Sequence, residues 1–155
     1  MRIIAGKLGG RQFQGPKGHR THPMSERVRG ALFNTLGDIT SLTVLDAFAG
    51  SGALSFEAIS RGAAKAIRAN AGSWSDNNPD AEFDLVLLDP PYDGLSHELL
   101  AKLTKHAKPN GLIALSYPGN KQPPTFSGLE LITAKLYGDS QLAFYRKKNG
   151  GRERT

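Results

Sequence analysis

The stretch "TVLDAFAGSGALSFEAISRG", Thr43 to Gly62, carries the reading of the fold. Thr43–Phe48 is an apolar run interrupted only by Asp46, the pattern of a strand. Gly50 and Gly52 follow, and Ala53–Ser60 returns to a helical pattern that Gly62 stops. A strand that runs through a glycine turn into a helix is half of a βαβ unit. The two glycines allow a tight bend and a close approach of backbone to a ligand. The helix start leaves amide groups unpaired. No Lys-Ser or Lys-Thr pair follows, so this is no phosphate loop, and Ser55 stands where a dinucleotide fingerprint has its third glycine. A plain strand-to-helix corner would look similar. The acid at Asp46, which can accept from a ligand's amine or fix the turn, tilts the reading toward a ligand.

Outward from this unit the chain alternates. Arg2–Ala5 and Arg11–Phe13 form a short strand pair around a Gly9-Gly10 turn. "HPMSERVRGALFNTLG" forms a helix, with Ser25 as its cap, Val28, Leu32, Phe33 and Leu36 as its apolar stripe, and Gly37 as its stop. Ala64–Ala69 is a weak strand, Ser73–Ala81 a polar loop holding Trp74, and Phe83–Leu88 the clearest buried strand. Ser96–Ala107 is an amphipathic helix, Pro109-Asn110-Gly111 a turn and Leu112–Tyr117 a strand. Leu129–Tyr137 and Gln141–Arg146 close as an antiparallel pair. Near-continuously apolar strands alternating with helices imply a mostly parallel sheet covered on both faces, an α/β sandwich. Ligands of such sheets sit at the carboxyl ends of the strands.

The second unusual stretch, "LDPPYD", Leu88 to Asp93, falls at such an end. Asp89 and the Pro90 carbonyl are acceptors. Pro90 and Pro91 stiffen the backbone and remove two donors, and Tyr92 offers a flat face. This set suits a planar base with an exocyclic amino group: its hydrogens point at Asp89 and the Pro90 carbonyl, and Tyr92 stacks on its ring. A Pro-Pro turn capped by the acid is the bland alternative. The whole tetrapeptide directly after a buried strand is far more specific than "PP".

Composition narrows the class. The chain has 155 residues, enough for one domain with a core, and no run long enough to span a bilayer. The N-terminus lacks the apolar segment of a signal peptide. Without cysteine there is no disulfide frame and no thiolate metal site. These features fit a soluble cytoplasmic protein. The net charge is +6, with basic residues gathered at both ends, including Arg2, Lys7, Arg11, Lys17, Arg20, Arg27 and Arg29 at the start. Such patches attract phosphate backbones, although a solvated basic surface would read the same.

The motifs together resemble a known family. "DAFAGSGA" and "LDPPY" look like the cofactor and catalytic motifs of S-adenosylmethionine-dependent amino-methyltransferases. "MRIIAGKLGGRQF", "ERVRGALFNTLG", "LDAFAGSGALSFEAISRGA" and "YGDSQLAFYR" resemble the RsmD family, bacterial enzymes acting on guanine N2 of small-subunit (16S) ribosomal RNA. The resemblance runs from Met1 to about Arg146. It implies a Rossmann-like class I methyltransferase sandwich with a C-terminal antiparallel pair and an N-terminal hairpin and helix extension. It divides the chain into an RNA-contacting extension at 1–37, a methyltransferase domain at 38–148 and a basic tail at 149–155. Asp46, Ala49, Gly50, Ser51 and Gly52 would surround the methionine part of S-adenosylmethionine, with Asn70 and Ala71 at its adenine. Asp89, Pro90, Pro91 and Tyr92 would hold the target guanine. Arg2, Lys7, Arg11, Arg20, His22, Arg27 and Arg29 would contact RNA, His22 standing where the family commonly has Arg. The implied partner is ribosomal RNA within an assembled or assembling small-subunit (30S) particle, and the implied state a monomer. No metal is needed: His19, His22, His97 and His106 lack ligand spacing, and His97 and His106 read as helix-surface residues. The rivals are an adenine-N6 nucleic-acid methyltransferase and a non-enzymatic RNA-binding module.

One departure stands out. This class normally has, after the first helix, a strand ending in an acid that grips the cofactor's ribose, then a helix, then the strand with the adenine contact. Here "SRGAAKAI" runs straight into "RANAGSW", so roughly 30 residues, about one strand–helix unit, are missing between Ile67 and Arg68. No acid lies between Glu57 and Asp76 to serve the ribose. Either the polypeptide carries a segment that this sequence omits, or the deletion is real. The intact flanks favour the first, and a real deletion predicts weak cofactor binding.

Overall fold

The computed structural model describes residues 1–13 and 24–149. The hairpin at the start is looser than a strand pair: one bridge joins Arg2 to Gln12, and the chain between them turns at Gly6–Gly10. Helix α1 spans Glu26–Leu36. The Ser25 side chain accepts from the Val28 amide, and Gly37, at φ 78°, ends it. Strand β1, Thr43–Asp46, leads through the glycine turn into α2, Ala53–Ser60. Strand β2, Lys65–Arg68, leads into α3, Gly72–Asn77. Strand β3 is Phe83–Leu88, and α4 is His97–Thr104 with Ser96 as its cap. Strands β4 (Ala107–Pro118), β5 (Leu129–Tyr137) and β6 (Ser140–Lys147) complete the chain.

One sheet runs in the order β2-β1-β3-β4-β6-β5. The first four strands are parallel, and β6 runs antiparallel to both β4 and β5. Each face buries its own cluster. Val44, Leu85, Leu87 and Phe144 pack against Leu32 and Phe33 of α1 and Leu54 and Ala58 of α2. Leu45, Val86, Leu88, Ile113 and Tyr145 pack against Leu100 and Leu103 of α4, with Trp74 of α3 at the edge. Each such side chain contributes roughly 1.5–3 kcal/mol by leaving water. Helices on both faces of a mostly parallel sheet are the architecture that the alternating pattern implies. Among the described residues no helix is long and apolar enough to cross a membrane.

Three sequence readings need correction. Ser73–Ala81 is not simply a loop, because Gly72–Asn77 is helical. Its sequence is polar, but Trp74 meets the Phe83 and His106 rings and the buried Ser75 hydroxyl lies 2.8 Å from His106 Nε2. Tertiary contacts, not propensity, form this helix. His106 is accordingly buried rather than on a helix surface, with Nδ1 2.7 Å from the Ala81 carbonyl. Pro109-Asn110-Gly111 does not precede β4 but lies inside it. The pairing with β3 jumps from Ala107 to Leu112, and the residues between bulge outward with Asn110 at φ 67°.

Candidate active site

The parallel register sets the site. Asp46 ends β1 and pairs with Leu87 of β3, so Asp89 emerges from the neighbouring strand at the same end of the sheet. The glycine turn and the acid-proline corner are adjacent. Asp46 is buried. Its Oδ2 accepts from Ser55 Oγ at 2.8 Å, a bond from the first turn of α2, whereas its Oδ1 has no partner among the described residues. Burial pushes its carboxyl up to about 6, against the lowering effects of Ser55 and Arg68. Asp89 is half-buried. Burial, and then the charge of Asp46, push its carboxyl up to about 7, and the Ser116 hydroxyl acts in the opposite direction. A buried carboxylate oxygen without a partner, beside a second carboxylate whose ionisation is disfavoured, makes a place for a cationic donor.

The glycine turn is tight. Gly50 and Gly52 both have positive φ, 51° and 85°, and the Gly52 amide donates to the Ala49 carbonyl at 2.7 Å. The parallel corner after β2 is tied to it. Ala71 N donates to the Ala47 carbonyl at 2.7 Å, Ala49 N to the Ala69 carbonyl at 3.2 Å, and Phe48 bridges Asn70. Ala71 takes φ 50° without being glycine, a strained geometry held by these bonds. Ala49, Gly50, Ser51, Gly52, Asn70 and Ala71 therefore line one rim, and Asn70 is exposed there.

Across the rim, Pro90 is buried and Pro91 exposed. The Tyr92 hydroxyl lies 2.7 Å from Ser116 Oγ and 3.2 Å from Ser140 Oγ, while the residue stays 38% exposed. The ring is held by its tip and stays partly exposed. Ser116 of β4 is buried between Tyr92 and Asp89, and sequence reasoning missed it. Arg68 was missed as well. It closes β2 opposite Asp46, and a Cβ on Gly52 would lie 3.1 Å from its guanidinium. A cation stands at the place where the resemblance calls for an acid.

The basic residues divide. Arg2, Lys7, Arg11 and Arg27 are exposed, and Arg20 and His22 lie outside the described residues. Arg29 is a correction: it is 1% exposed and cannot reach RNA. Its Nε is 3.6 Å from Glu57 Oε1, and its Nη2 donates to the Arg2 carbonyl. Glu57, also buried, accepts from the Ile4 amide at 2.8 Å, the Ala5 amide at 3.0 Å and Arg61 Nε at 2.8 Å. The hairpin is thus pinned to α2, whose first turn carries Ser55.

Comparison with known proteins shows the family and the fold. The family model described as "Conserved hypothetical protein 95" matches residues 1–75 and 65–146. Ribosomal RNA small subunit methyltransferase D of Haemophilus influenzae is 29% identical, over 94% of this chain and 93% of its own. That match spans 180 positions of which a 155-residue chain fills only part, so the relative carries residues with no counterpart here. The two family matches meet at 65–75, around the Ile67-Arg68 junction, which the structure crosses as one unbroken strand in register with β1. The yhhF protein of Escherichia coli superposes with a TM-score of 0.77 at 28% identity, covering 96% of this chain and 98% of that one. At 16% identity, SMU.776, solved complexed with SAH, shares the fold with a TM-score of 0.52 over 77% of this chain and 48% of its own. With most of its length matched by the family model and by methyltransferase D, the chain belongs to the Conserved hypothetical protein 95 family, the RsmD family that its motifs resemble.

Proposed function

We propose that this protein transfers a methyl group from S-adenosylmethionine to the exocyclic N2 of a guanine in small-subunit ribosomal RNA. The observation that carries the reading is the meeting of Asp46 and Asp89 at one end of the sheet, with the partly exposed Tyr92 following Asp89 in the chain. The residues present fit the amino-acid end of the cofactor. The unpartnered Asp46 Oδ1 suits an ammonium donor, and Gly50 and Gly52 leave the backbone open to it. At the ribose end the fit is poor, because Arg68 only donates and no described acid faces it. When bound, the cofactor supplies an electrophilic methyl group.

The chain's own residues do the rest. The target base leaves its stack to reach the site. Tyr92, tethered through its hydroxyl, offers its face to the ring. Ionised Asp89 and the Pro90 carbonyl accept from the amino hydrogens, which aligns the nitrogen and favours the positive charge that develops on it. Asp89, held near neutrality by its surroundings, is suited to receive the released proton. We assign residues 1–37 to RNA contact and 38–148 to transfer. The substrate is the assembled or assembling small subunit, and the enzyme acts as a monomer.

The test is transfer of labelled methyl to small subunits from cells lacking the enzyme, with naked RNA and an adenine-only substrate as further arms and the product site mapped. Asp89→Ala should lower transfer by a hundredfold or more, on the order expected when a charge-stabilising group is lost, while RNA binding survives. Equal loss of RNA binding, or methylation mapped to adenine, would refute the assignment.

A further inference from the structure

Phe56 is an exposed aromatic on α2, at 37% exposure, and nothing in the catalytic reading uses it. Its ring meets the Phe13 ring of the hairpin edge-on, with centroids 5.3 Å apart at 67°. The Arg68 guanidinium carbon lies over the same ring, 5.9 Å from its centroid. A Cβ on Gly52 would touch both Arg68, at 3.1 Å, and Phe56, at 3.5 Å. The shelf therefore starts at the glycine turn and ends at the hairpin. Arg68 is exposed and makes no ion pair among the described residues. The hairpin's Arg2, Lys7 and Arg11 are exposed too. Asp46 and Glu57, the acids nearest the shelf on β1 and α2, are buried and turned to other partners.

A partly exposed aromatic ring with a guanidinium over it, bordered by further cations, is an arrangement that holds single-stranded nucleic acid. The base stacks whatever its identity, and the guanidinium takes the phosphate. We propose that Phe13, Phe56 and Arg68 form a second nucleotide site, which stacks the unpaired RNA base next to the methylated guanine and holds its phosphate. This rests on the reading of the cleft as the guanine site. It explains why the hairpin is pinned so firmly to α2: Phe13 must meet Phe56 to complete the shelf. A flanking base held there would keep the strand open beside the flipped guanine.

The same chemistry, a planar base with an anion, could come from the adenine of the cofactor, so the experiment has two arms. A short single-stranded RNA carrying 2-aminopurine beside the target guanine is titrated against the wild type, Phe56→Leu, Phe56→Ala and Arg68→Ala. S-adenosylmethionine is titrated separately by calorimetry. Phe56→Leu keeps apolar bulk and loses the π face. Both Phe56 variants should weaken RNA binding about tenfold, abolish the 2-aminopurine quenching and leave cofactor affinity unchanged. Arg68→Ala should reduce the salt slope of RNA binding by about one. Phe56→Leu, which keeps most of the apolar contact with Phe13, should leave the thermal melt close to that of the wild type, whereas Phe56→Ala should lower it. Unchanged RNA affinity in Phe56→Leu overturns the proposal, as does a loss of cofactor affinity without a loss of RNA affinity. If the wild type transfers no methyl yet Phe56→Leu still loses RNA, the catalytic reading fails and the shelf stands.

Discussion

Ser116→Ala isolates the electrostatics of the site. The Ser116 hydroxyl lies between the Asp89 carboxyl and the Tyr92 hydroxyl. Burial and the Asp46 charge hold Asp89 up at about 7, and Ser116 is the group that pulls it down. A hydrogen bond to an ionised acceptor is worth about 1.5 kcal/mol, and one pKa unit is about 1.4 kcal/mol. Removing the hydroxyl should therefore shift the Asp89 ionisation equilibrium about tenfold toward the neutral form. At neutral pH the ionised fraction would fall from about a half to about a tenth, and kcat/KM about fivefold with it. Above pH ~9 variant and wild type should converge. Tyr92 keeps Ser140 as a partner, so RNA affinity should change little. The assay is methyl transfer across pH to small subunits from cells lacking the enzyme, with Ser116→Thr as the variant that restores a hydroxyl. The reasoning fails if the acid limb of the Ser116→Ala profile stays in place, or if activity falls equally at all pH values.

The remaining predictions concern stability. Asp46 is raised from 3.8 to about 6, so the fold favours its neutral form. The stabilisation from this group is complete below about pH 4 and is lost as pH rises through 6. Asp46→Asn, which still accepts from Ser55, should be more stable than wild type at pH 7.5 by up to about 3 kcal/mol, while losing function. Urea unfolding at pH 4 and pH 7.5 checks this, since the gain must vanish at the lower pH. Glu57→Gln removes the charge facing buried Arg29 and should cost about 3–5 kcal/mol. Trypsin should then cut the hairpin at Lys7 and Arg11 faster than it cuts the rest of the fold; protection equal to wild type would show that Glu57 does not pin it.

How far the sequence revealed this protein depended on what kind of pattern each part leaves. Strands β3, β5 and β6 and helices α1 and α2 were legible because each carries its own period or its own cap: Ser25 before α1, and glycine after both. Helix α3 was not, because Ser75 and Trp74 are its only inward residues of note and their partner, His106, lies far along the chain. The two site corners were legible as motifs, and their adjacency followed from parallel strands. Arg29 misled because a basic residue in a basic segment carries no mark of burial. The signal was on the other side, in Glu57, an acid within an otherwise apolar stretch of α2. Ser116 left no mark at all, since a serine inside an apolar strand reads as neutral. Only the register of β3 on β4 brings it beside Asp89.

The charges of the site also fix how it must respond to what it binds. Asp46 and Asp89 oppose each other's ionisation, so near neutrality they hold part of their protons. A cation lodged between them favours the doubly ionised state and expels those protons. Its binding must therefore tighten as pH rises from 6 to 8, and Asp89 becomes a better acceptor only once the cation is in place. Arg68, on the far side of Asp46, stabilises the ionised acid but repels the same cation. It is better matched to a phosphate. The cleft thus separates by charge, with acids over β1 and β3 and a guanidinium over β2; on the proposed reading the acids serve the cationic donor and the amino group, and the guanidinium serves the polyanion that carries it.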